Sequence, residues 1–255
     1  MEKLTIIKVG GKIVEEAESL KQLLCNFAHI DGHKILVHGG GRSATKIAER
    51  LEVESQMVDG RRITDEAMLQ IVTMVYGGLV NKNIVAGLQA LGVNALGLTG
   101  ADLDIIRSEK RPVKEIDYGF VGDVKEVNTA ALMSLIRQGV VPVIAPLTHD
   151  GKGNMLNTNA DTMAAETAQA LAHQFNISLV YCFEKRGVLM DEKDDDSVIP
   201  VLNRFDFERL VHDKIIQGGM LPKLENAFLS IDKGVKEVVI TQASEIGKNA
   251  GTRIL

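Results

Sequence analysis

Short apolar runs that end at or beside glycine alternate along this chain with longer amphipathic segments, and this alternation constrains the fold most strongly. Residues 4–9 (LTIIKV) lead into Gly10 and Gly11, and residues 34–38 (KILVH) lead into three glycines. Further runs that read as strands cover 94–100, 140–147, 178–183 and 237–241. This alternation predicts an α/β fold, a three-layer α/β/α sandwich with a central, mainly parallel sheet.

The segments between these strands carry apolar residues at helical spacing. Gly77 and Gly78 interrupt the longest of them, which is therefore one long helix or two joined ones. Two segments predict hairpins instead: 57–64, through its Asp59-Gly60 turn, and 112–127, through its short alternations. Helices are predicted over 15–30, 42–52, 65–91, 129–138, 159–174, 204–212 and 222–233.

Charge and composition exclude several classes of function. The formal net charge of −5 provides no basic surface for nucleic acid. Cys25 and Cys182 lie far apart and form no C-x-x-C pair, as is typical of a reduced, cytoplasmic protein. The N-terminus is not a signal peptide, and no run approaches the ~18 apolar residues of a membrane span. We therefore expect a cytoplasmic protein with small-molecule substrates and neither a nucleic-acid nor a membrane partner.

Two glycine turns follow predicted strands, at the sheet edge where open α/β folds bind ligands. Backbone N–H groups at such turns can face an anion, because no Cβ atom blocks its approach. Lys8 lies beside the first turn, and a buried lysine needs an anionic partner. That partner is either a structural carboxylate or a bound phosphate. A single turn would be read as a tight connection, but two turns with a lysine favour an anion site.

Two later segments add polar groups at predicted helix starts. GGMLPK places Lys223 near a helix N-terminus, where a cation opposes the helix dipole unless it neutralises a bound anion. NTNAD places Asn157, Asn159 and Asp161 at the opening of another helix. These three residues either cap that helix or serve a ligand. The acidic run at 192–197 is interpreted as a solvated hairpin tip, so no protein metal site is predicted.

Taken in order, KVGG, HGGG, VDGRRIT, NTNAD, GGMLPK and the terminal GTRIL resemble the motifs of the amino acid kinase family, from Lys3 to Leu255. Within that family, the resemblance is closest to the kinases of N-acetylglutamate. It implies transfer of the γ-phosphoryl group of ATP to the side-chain carboxylate of N-acetyl-L-glutamate, a step of arginine biosynthesis. It also implies a Mg²⁺ ion that is held mainly by the ATP phosphates.

The resemblance further implies a role for each residue at a motif position. Lys8 and Lys223 would stabilise charge on the transferring phosphoryl group, and Asp161 would hold both lysines in place. The backbone N–H groups that face the phosphoryl group would belong to Gly11, Gly40 and Gly41. The acceptor would be held by Arg62, Asn157 and Asn159, with Arg62 and Asn157 at its α-carboxylate and amide. ATP would be held by Gly10, Glu184, Gly187, Leu189, Gln217 and Met220.

Domain organisation and assembly follow from the same resemblance. Residues 1–174 would form a lobe that binds the N-acylglutamate and contains the dimer interface, and residues 175–255 a lobe that binds ATP, on one continuous sheet. The first predicted strand begins near Leu4, which leaves no room for the extra N-terminal helix of the family's arginine-inhibited hexamers. We therefore expect a homodimer. One departure from the family pattern is Glu184, which stands where an aspartate is usual.

Other functions fit the residues less well or stay open. An NAD-dependent oxidoreductase is disfavoured because neither glycine turn has G-x-G-x-x-G spacing. A non-catalytic regulatory protein on the same fold should have lost Lys8, Asp161 or Lys223, and the chain has all three. A kinase of another N-acylglutamate, such as N-succinyl-L-glutamate, stays open because the sequence does not reveal the acyl pocket.

Overall fold

The computed structural model describes residues 1–58, 60–218, 220–248 and 250–255. Asp59 of the predicted hairpin turn and Gly219 of the GGMLPK segment lie outside the described residues. The strands are β1 (Glu2–Val9), β2 (His33–His38), β3 (Met57–Val58), β4 (Arg61–Arg62), β5 (Ala95–Leu98), β6 (Ile106–Lys110), β7 (Gly122–Val127), β8 (Val141–Ile144), β9 (Leu147–His149), β10 (Met155–Asn157), β11 (Phe175–Phe183), β12 (Val201–Leu202), β13 (Glu237–Gln242) and β14 (Thr252–Ile254).

The helices account for about half of the remaining chain. A π-helical segment, Thr73–Val80, joins two of them into one continuous helix. The α-helices are α1 (Gly11–Glu15), α2 (Ala17–Ala28), α3 (Gly41–Arg50), α4 (Glu66–Val72), α5 (Asn81–Ala90), α6 (Thr129–Arg137), α7 (Ala160–Leu171), α8 (Arg204–His212) and α9 (Met220–Asp232).

An eight-stranded sheet runs through the molecule in the order β12-β14-β13-β11-β1-β2-β8-β5. Its pairs are parallel except for β13 with β14. Helices α6 to α9 contribute to the apolar core on one face, and α2 to α5 to the core on the other. The predicted three-layer sandwich with a mainly parallel sheet is therefore confirmed. The division into lobes at residues 174 and 175 stays a prediction.

Strand β1 is central and serves both cores. Leu4 and Ile6 point into the core under α6 to α9, and Ile7 and Val9 into the core under α2 to α5. This alternation follows from the two-residue repeat of a strand, and burial on both faces explains the near-continuous apolar sequence. The same repeat places Lys8 on the Leu4 and Ile6 face, at the carboxyl end of the sheet.

The segment predicted over 65–91 is one continuous helix, with Gly77 and Gly78 inside its π-helical part. It is 25 residues long, from Glu66 to Ala90, and is apolar enough by composition to cross a membrane. The expectation that no segment approaches such a span overlooks this helix. Its buried face, which includes Val75 and Ile84, packs into the core under the sheet, as expected of a core helix in a globular domain.

A second, four-stranded sheet with the order β10-β9-β6-β7 corrects two predictions. Hairpins were expected over 112–127, but β7 pairs with β6, which lies entirely before that segment. A single strand was expected over 140–147, but it divides into β8 and β9 around Pro146, which has no N–H group to continue the ladder. The hairpin expected at 57–64 is formed by β3 and β4.

Candidate active site

Two glycine turns face each other at the carboxyl ends of β1 and β2. The N–H group of Gly39 donates to the carbonyl of Val9 at 3.0 Å, which ties the second turn to the end of the first strand. A methyl group built on Gly11 would lie 3.6 Å from the amide nitrogen of Gly41 and 3.7 Å from that of Gly40. These amides share one small space at the start of α3, an arrangement suited to an anion.

Lys8 is buried beside this space and forms an ion pair with Asp161. Its Nζ lies 2.8 Å from Asp161 Oδ1. Asp161 lies in the first turn of α7, and 32% of its side chain is exposed. The carboxylate provides the anionic partner that a buried lysine requires. Because Asp161 remains partly exposed, the pair borders the cleft instead of being sealed in the core.

Lys223 approaches the same place from α9. Its Nζ lies 3.7 Å above the centroid of the Phe183 ring, and that of Lys8 lies 5.3 Å from the same centroid. Burial lowers the pKa of Lys223, and the charge of Asp161 partly offsets this effect. Asp161 is therefore in contact with one lysine and electrostatically coupled to the other. The two ammonium groups converge beside the glycine turns, and such a pair attracts a polyanion.

A cavity of about 280 Å³ opens beside the second glycine turn, with Gly40, Gly41 and Arg62 among its lining residues. The guanidinium of Arg62 donates to the Gly41 carbonyl at 2.8 Å and to Thr45 Oγ1 at 2.9 Å. It also donates to Ser55 Oγ. These bonds fix the plane of a buried guanidinium at the cavity wall, where its fork geometry suits a carboxylate.

Asn157 and Asn159 line the same cavity. Asn157 Nδ2 donates to Thr64 Oγ1 at 2.9 Å, which links the end of β10 to the segment just after the β3–β4 hairpin. Asn159 Oδ1 accepts from the amides of Asp161 and Thr162 at 2.8 and 3.1 Å. Asn159 is therefore the N-cap of α7, as one of its two predicted interpretations required.

A second cavity, of about 540 Å³, lies beside the glycine turns and shares Gly41, Met57 and Arg62 with the first. Glu184 at its rim makes ion pairs with Lys12 Nζ at 3.0 Å and with an Arg42 guanidinium nitrogen at 3.7 Å. The exposed carboxylate thus links the residues that directly follow the two turns. The predicted site residues that line this cavity are Gly10, Gly11, Gly41, Arg62, Glu184, Met220 and Lys223.

Three residues predicted to hold ATP line neither cavity. Gly187 packs against Thr252, where an added methyl group would lie 2.7 Å from the Thr252 hydroxyl. Leu189 pairs with Val198 at the base of the acidic hairpin. Gln217 donates from Nε2 to the Lys214 carbonyl at 2.8 Å. Their contact with ATP stays a prediction.

The acidic run at 192–197 lies in an exposed hairpin, as interpreted from the sequence. Asp195 accepts from Lys185 Nζ at 2.9 Å, and Asp196 pairs with Arg186. Among the described residues, no three His, Cys, Asp or Glu side chains are grouped closely enough to hold a metal ion. Two acidic side chains of the hairpin, those of Asp195 and Asp196, are thus paired with neighbouring basic residues.

The residues at the cleft that the sequence did not predict include Lys12, Arg42, Phe183 and Tyr76. Lys12 and Arg42 follow the two glycine turns directly, so their positions alone could have placed them at the anion site. Phe183, which lies under both lysines, and Tyr76, which backs Gly40, have no local signal. They reach the site only through the packing of β11 and of the long helix.

Comparisons with known proteins agree with this architecture. The sequence model of the amino acid kinase family matches residues 3–242. The acetylglutamate kinase of Parabacteroides distasonis is 69% identical over 254 residues, covering 100% of both chains. That of Bacteroides thetaiotaomicron is 71% identical over 253 residues, covering 99% of this chain and 98% of the relative. The crystal structure of smu.665 from Streptococcus mutans matches with a TM-score of 0.80 and 26% identity, covering 98% of each chain.

The family match extends over most of the chain, and the two acetylglutamate kinases are 69% and 71% identical to it. Both findings agree with the paired lysines, the carboxylate and the glycine turns at the sheet edge. The chain therefore belongs to the amino acid kinase family and, within it, to the acetylglutamate kinases.

Proposed function

We propose that this protein transfers the γ-phosphoryl group of ATP to the side-chain carboxylate of N-acetyl-L-glutamate, which gives N-acetyl-L-glutamyl 5-phosphate in arginine biosynthesis. The observation that carries this assignment is the convergence of Lys8, Lys223 and the glycine amides between two cavities. The fixed guanidinium of Arg62 lies where the two cavities meet; the smaller cavity suits a small acceptor, and the larger one suits part of a nucleotide. A non-catalytic role would not require this set of cations.

The chemistry explains why charge stabilisation is the main task. A glutamate side-chain carboxylate, with a pKa of roughly 4.3, is ionised at neutral pH and needs no general base. The difficulty is the approach of this anion to a polyanion. Lys8 and Lys223 offset that repulsion, and the amides of Gly11, Gly40 and Gly41 donate to the oxygens of the phosphoryl group in transfer. Asp161 keeps Lys8 in place and keeps the charge of the lysine pair balanced.

A divalent ion fits this site only as a companion of ATP. Asp161, the carboxylate that borders the cleft beside the lysines, is already paired with Lys8. Glu184 is paired with Lys12 and Arg42. Mg²⁺ would therefore be held mainly by the ATP phosphates, where it neutralises charge on the β- and γ-oxygens. Gly10 and Met220 would border the nucleotide, and Glu184 would lie beside its phosphates.

The acceptor cavity supports a second candidate substrate. Arg62 and Asn157 would bind the α-carboxylate and the amide of the N-acylglutamate, with Asn159 beside them. Arg61 and Arg111 also line this cavity and continue into a neighbouring one of about 550 Å³. Arg111 is paired with Asp123 there. These guanidinium groups are the reason to keep an acyl group that ends in a carboxylate, such as N-succinyl, as a second candidate; the curated relatives support N-acetyl as the first.

Trapping the acyl phosphate as a hydroxamate tests the function and distinguishes the substrates. We expect ATP-dependent hydroxamate with N-acetyl-L-glutamate and little with free glutamate, whose charged amine lacks the acyl group. A higher kcat/KM for N-succinyl-L-glutamate would assign the second candidate. No hydroxamate with any of the three acceptors would contradict the kinase assignment itself.

The lowered pKa of Lys223 predicts an alkaline limit of activity. The residue must be protonated to attract ATP, and burial moves its pKa below the ordinary 10.5 of a lysine. As the pH rises through this lowered pKa, kcat/KM for ATP should fall, since this ratio reports the free enzyme. Lys223→Arg keeps its charge at these pH values, so its alkaline limb should move upward or vanish. An unchanged limb in that variant would exclude Lys223 as its source.

The assembly and the cellular location belong to this proposal as well. Met74 and Leu79 on the long helix are 56% and 52% exposed, which supports a homodimer that covers this helix face. Two cysteines without a disulfide, Cys25 and Cys182, support a cytoplasmic location.

A further inference from the structure

His38 is buried at the end of β2, directly before the glycine turn. Its side chain is 0% exposed, and Asn81 beside it is 1% exposed. Neither residue lines the cavities described above, so the chemistry proposed for the cleft makes no direct use of them. A fully buried histidine and a buried asparagine in contact nevertheless need a physical account, because burying such polar groups costs free energy unless they are hydrogen-bonded.

The hydrogen bonds fix which nitrogen of His38 carries the proton. Nδ1 lies 2.7 Å from the carbonyl oxygen of Gly39, which can only accept, so Nδ1 is the donor. Nε2 lies 3.1 Å from Asn81 Nδ2, which can only donate, so Nε2 accepts.

The orientation of Asn81 is itself determined by its other partners. Its Nδ2 also donates to the Val143 carbonyl at 2.9 Å, and its Oδ1 accepts from Lys82 Nζ at 3.2 Å. Both ends of the imidazole therefore select the neutral tautomer with the proton on Nδ1. Burial, with Lys82 nearby, also lowers the pKa of His38 to about 4, so the ring is uncharged at neutral pH.

The Gly39 carbonyl belongs to the same peptide unit as the N–H group of Gly40. The peptide unit is planar and trans, so the direction of the carbonyl determines the direction of that N–H group. Two consecutive glycines have no Cβ atoms and could rotate this plane at little steric cost. The bond from His38 Nδ1 to the Gly39 carbonyl restrains it, and the bond from the Gly39 N–H to Val9 restrains the preceding unit.

We propose that His38, oriented by Asn81, is a positioning residue that holds the Gly39–Gly40 peptide so that the Gly40 N–H faces the transferring phosphoryl group. This role rests on the function proposed above. His38 does not touch the substrates and exchanges no proton during the reaction. It keeps an amide aligned before ATP arrives, and preorganised donors of this kind account for much of catalysis by charge stabilisation.

Two amide substitutions separate the role of Nδ1 from general packing. In His38→Asn the side-chain amide can occupy the place of Nδ1 and still donate to Gly39. In His38→Gln the amide reaches the place of Nε2, and the donor to Gly39 is lost. We expect kcat of His38→Gln to fall on the order of 10- to 100-fold. Misalignment of a hydrogen-bond donor removes much of the transition-state stabilisation that deletion of the donor would remove. KM for both substrates should stay within about threefold, and His38→Asn should keep most of kcat.

The matched control is His149→Gln. His149 is also hydrogen-bonded, with its Nε2 2.7 Å from Asp104 Oδ1, but it lies outside the cleft. This substitution should leave kcat unchanged. If the wild-type enzyme is active and the two His38 variants have equal kcat, the positioning role is overturned and the kinase function stands. If the wild-type enzyme is inactive, the proposed function itself is contradicted.

Long-range ¹H–¹⁵N NMR of the wild-type protein tests the same idea even if the His38 variants fail to fold. It should show the Nδ1-protonated tautomer of His38 throughout the neutral pH range. A proton on Nε2 would overturn the proposal.

Discussion

Lys8→Met should lower kcat by about 10²- to 10³-fold, the loss found when one preorganised donor to a developing charge is removed. In the proposed mechanism, Lys8 would face the phosphoryl group from the buried end of β1, where few water molecules can replace its charge. KM for ATP should change much less, because Lys223 and the glycine amides still bind the ground state. Steady-state kinetics of hydroxamate formation with N-acetyl-L-glutamate measures both constants.

The control for this variant is Lys3→Met, an exposed lysine at the opposite end of the same strand. It should keep wild-type kcat and KM, since Lys3 is far from the carboxyl end of the sheet. Circular dichroism of both variants checks the fold. A folded Lys8→Met enzyme with near-normal kcat would remove Lys8 from the catalytic role.

Gly40→Ala should reduce kcat/KM by about 10²-fold, as small displacements of aligned groups do. A methyl group on Gly40 would lie 2.7 Å from Cδ1 of Tyr76, closer than real contacts allow. Tyr76 is buried in the core and has little freedom to move away. The turn must therefore shift and take its amide out of line. The same crowding should cost about 1–3 kcal/mol of the free energy of unfolding.

Gly41→Ala is the matched control, because its methyl group would lie 3.7 Å from an Arg62 guanidinium nitrogen, an ordinary contact. It keeps the amide N–H and should lose much less activity and stability. Chemical denaturation and kinetics on the two variants measure both effects. Equal losses in the two variants would show that space at Gly40 is not what restricts this turn.

The sandwich was predictable because its strongest signals are local. β1 and β11 are apolar runs buried on both faces, and α2 and α7 have helical periodicity between them. The second sheet was not predictable, since β6, β9 and β10 are three to five residues long and gain their stability from pairing across the chain. The antiparallel β14 has the same character: its three residues are held by β13 and β12.

The residues of the site also divide into those with a local sequence signal and those placed by packing. Glycines and lysines at strand ends have local reasons to bind an anion, so Lys8, Gly11 and Gly40 could be chosen from the sequence. Pairings between distant elements could not, because they depend on how α7, α9 and β11 pack. An orienting role of Asp161 toward the lysines was one interpretation of its place at a helix start, whereas the place of Phe183 under both lysines was not foreseen.

We expect the side-chain carboxylate itself to attack the γ-phosphorus, with no activated water. N-acetyl-L-glutamate labelled with ¹⁸O in both side-chain carboxylate oxygens tests this directly. Attack by the carboxylate forms a bond from its oxygen to phosphorus, and ADP leaves with the former bridging oxygen. Hydroxylamine then attacks the carbonyl carbon of the acyl phosphate and expels phosphate. Mass spectrometry of that phosphate should find one ¹⁸O atom per molecule; unlabelled phosphate would contradict the account.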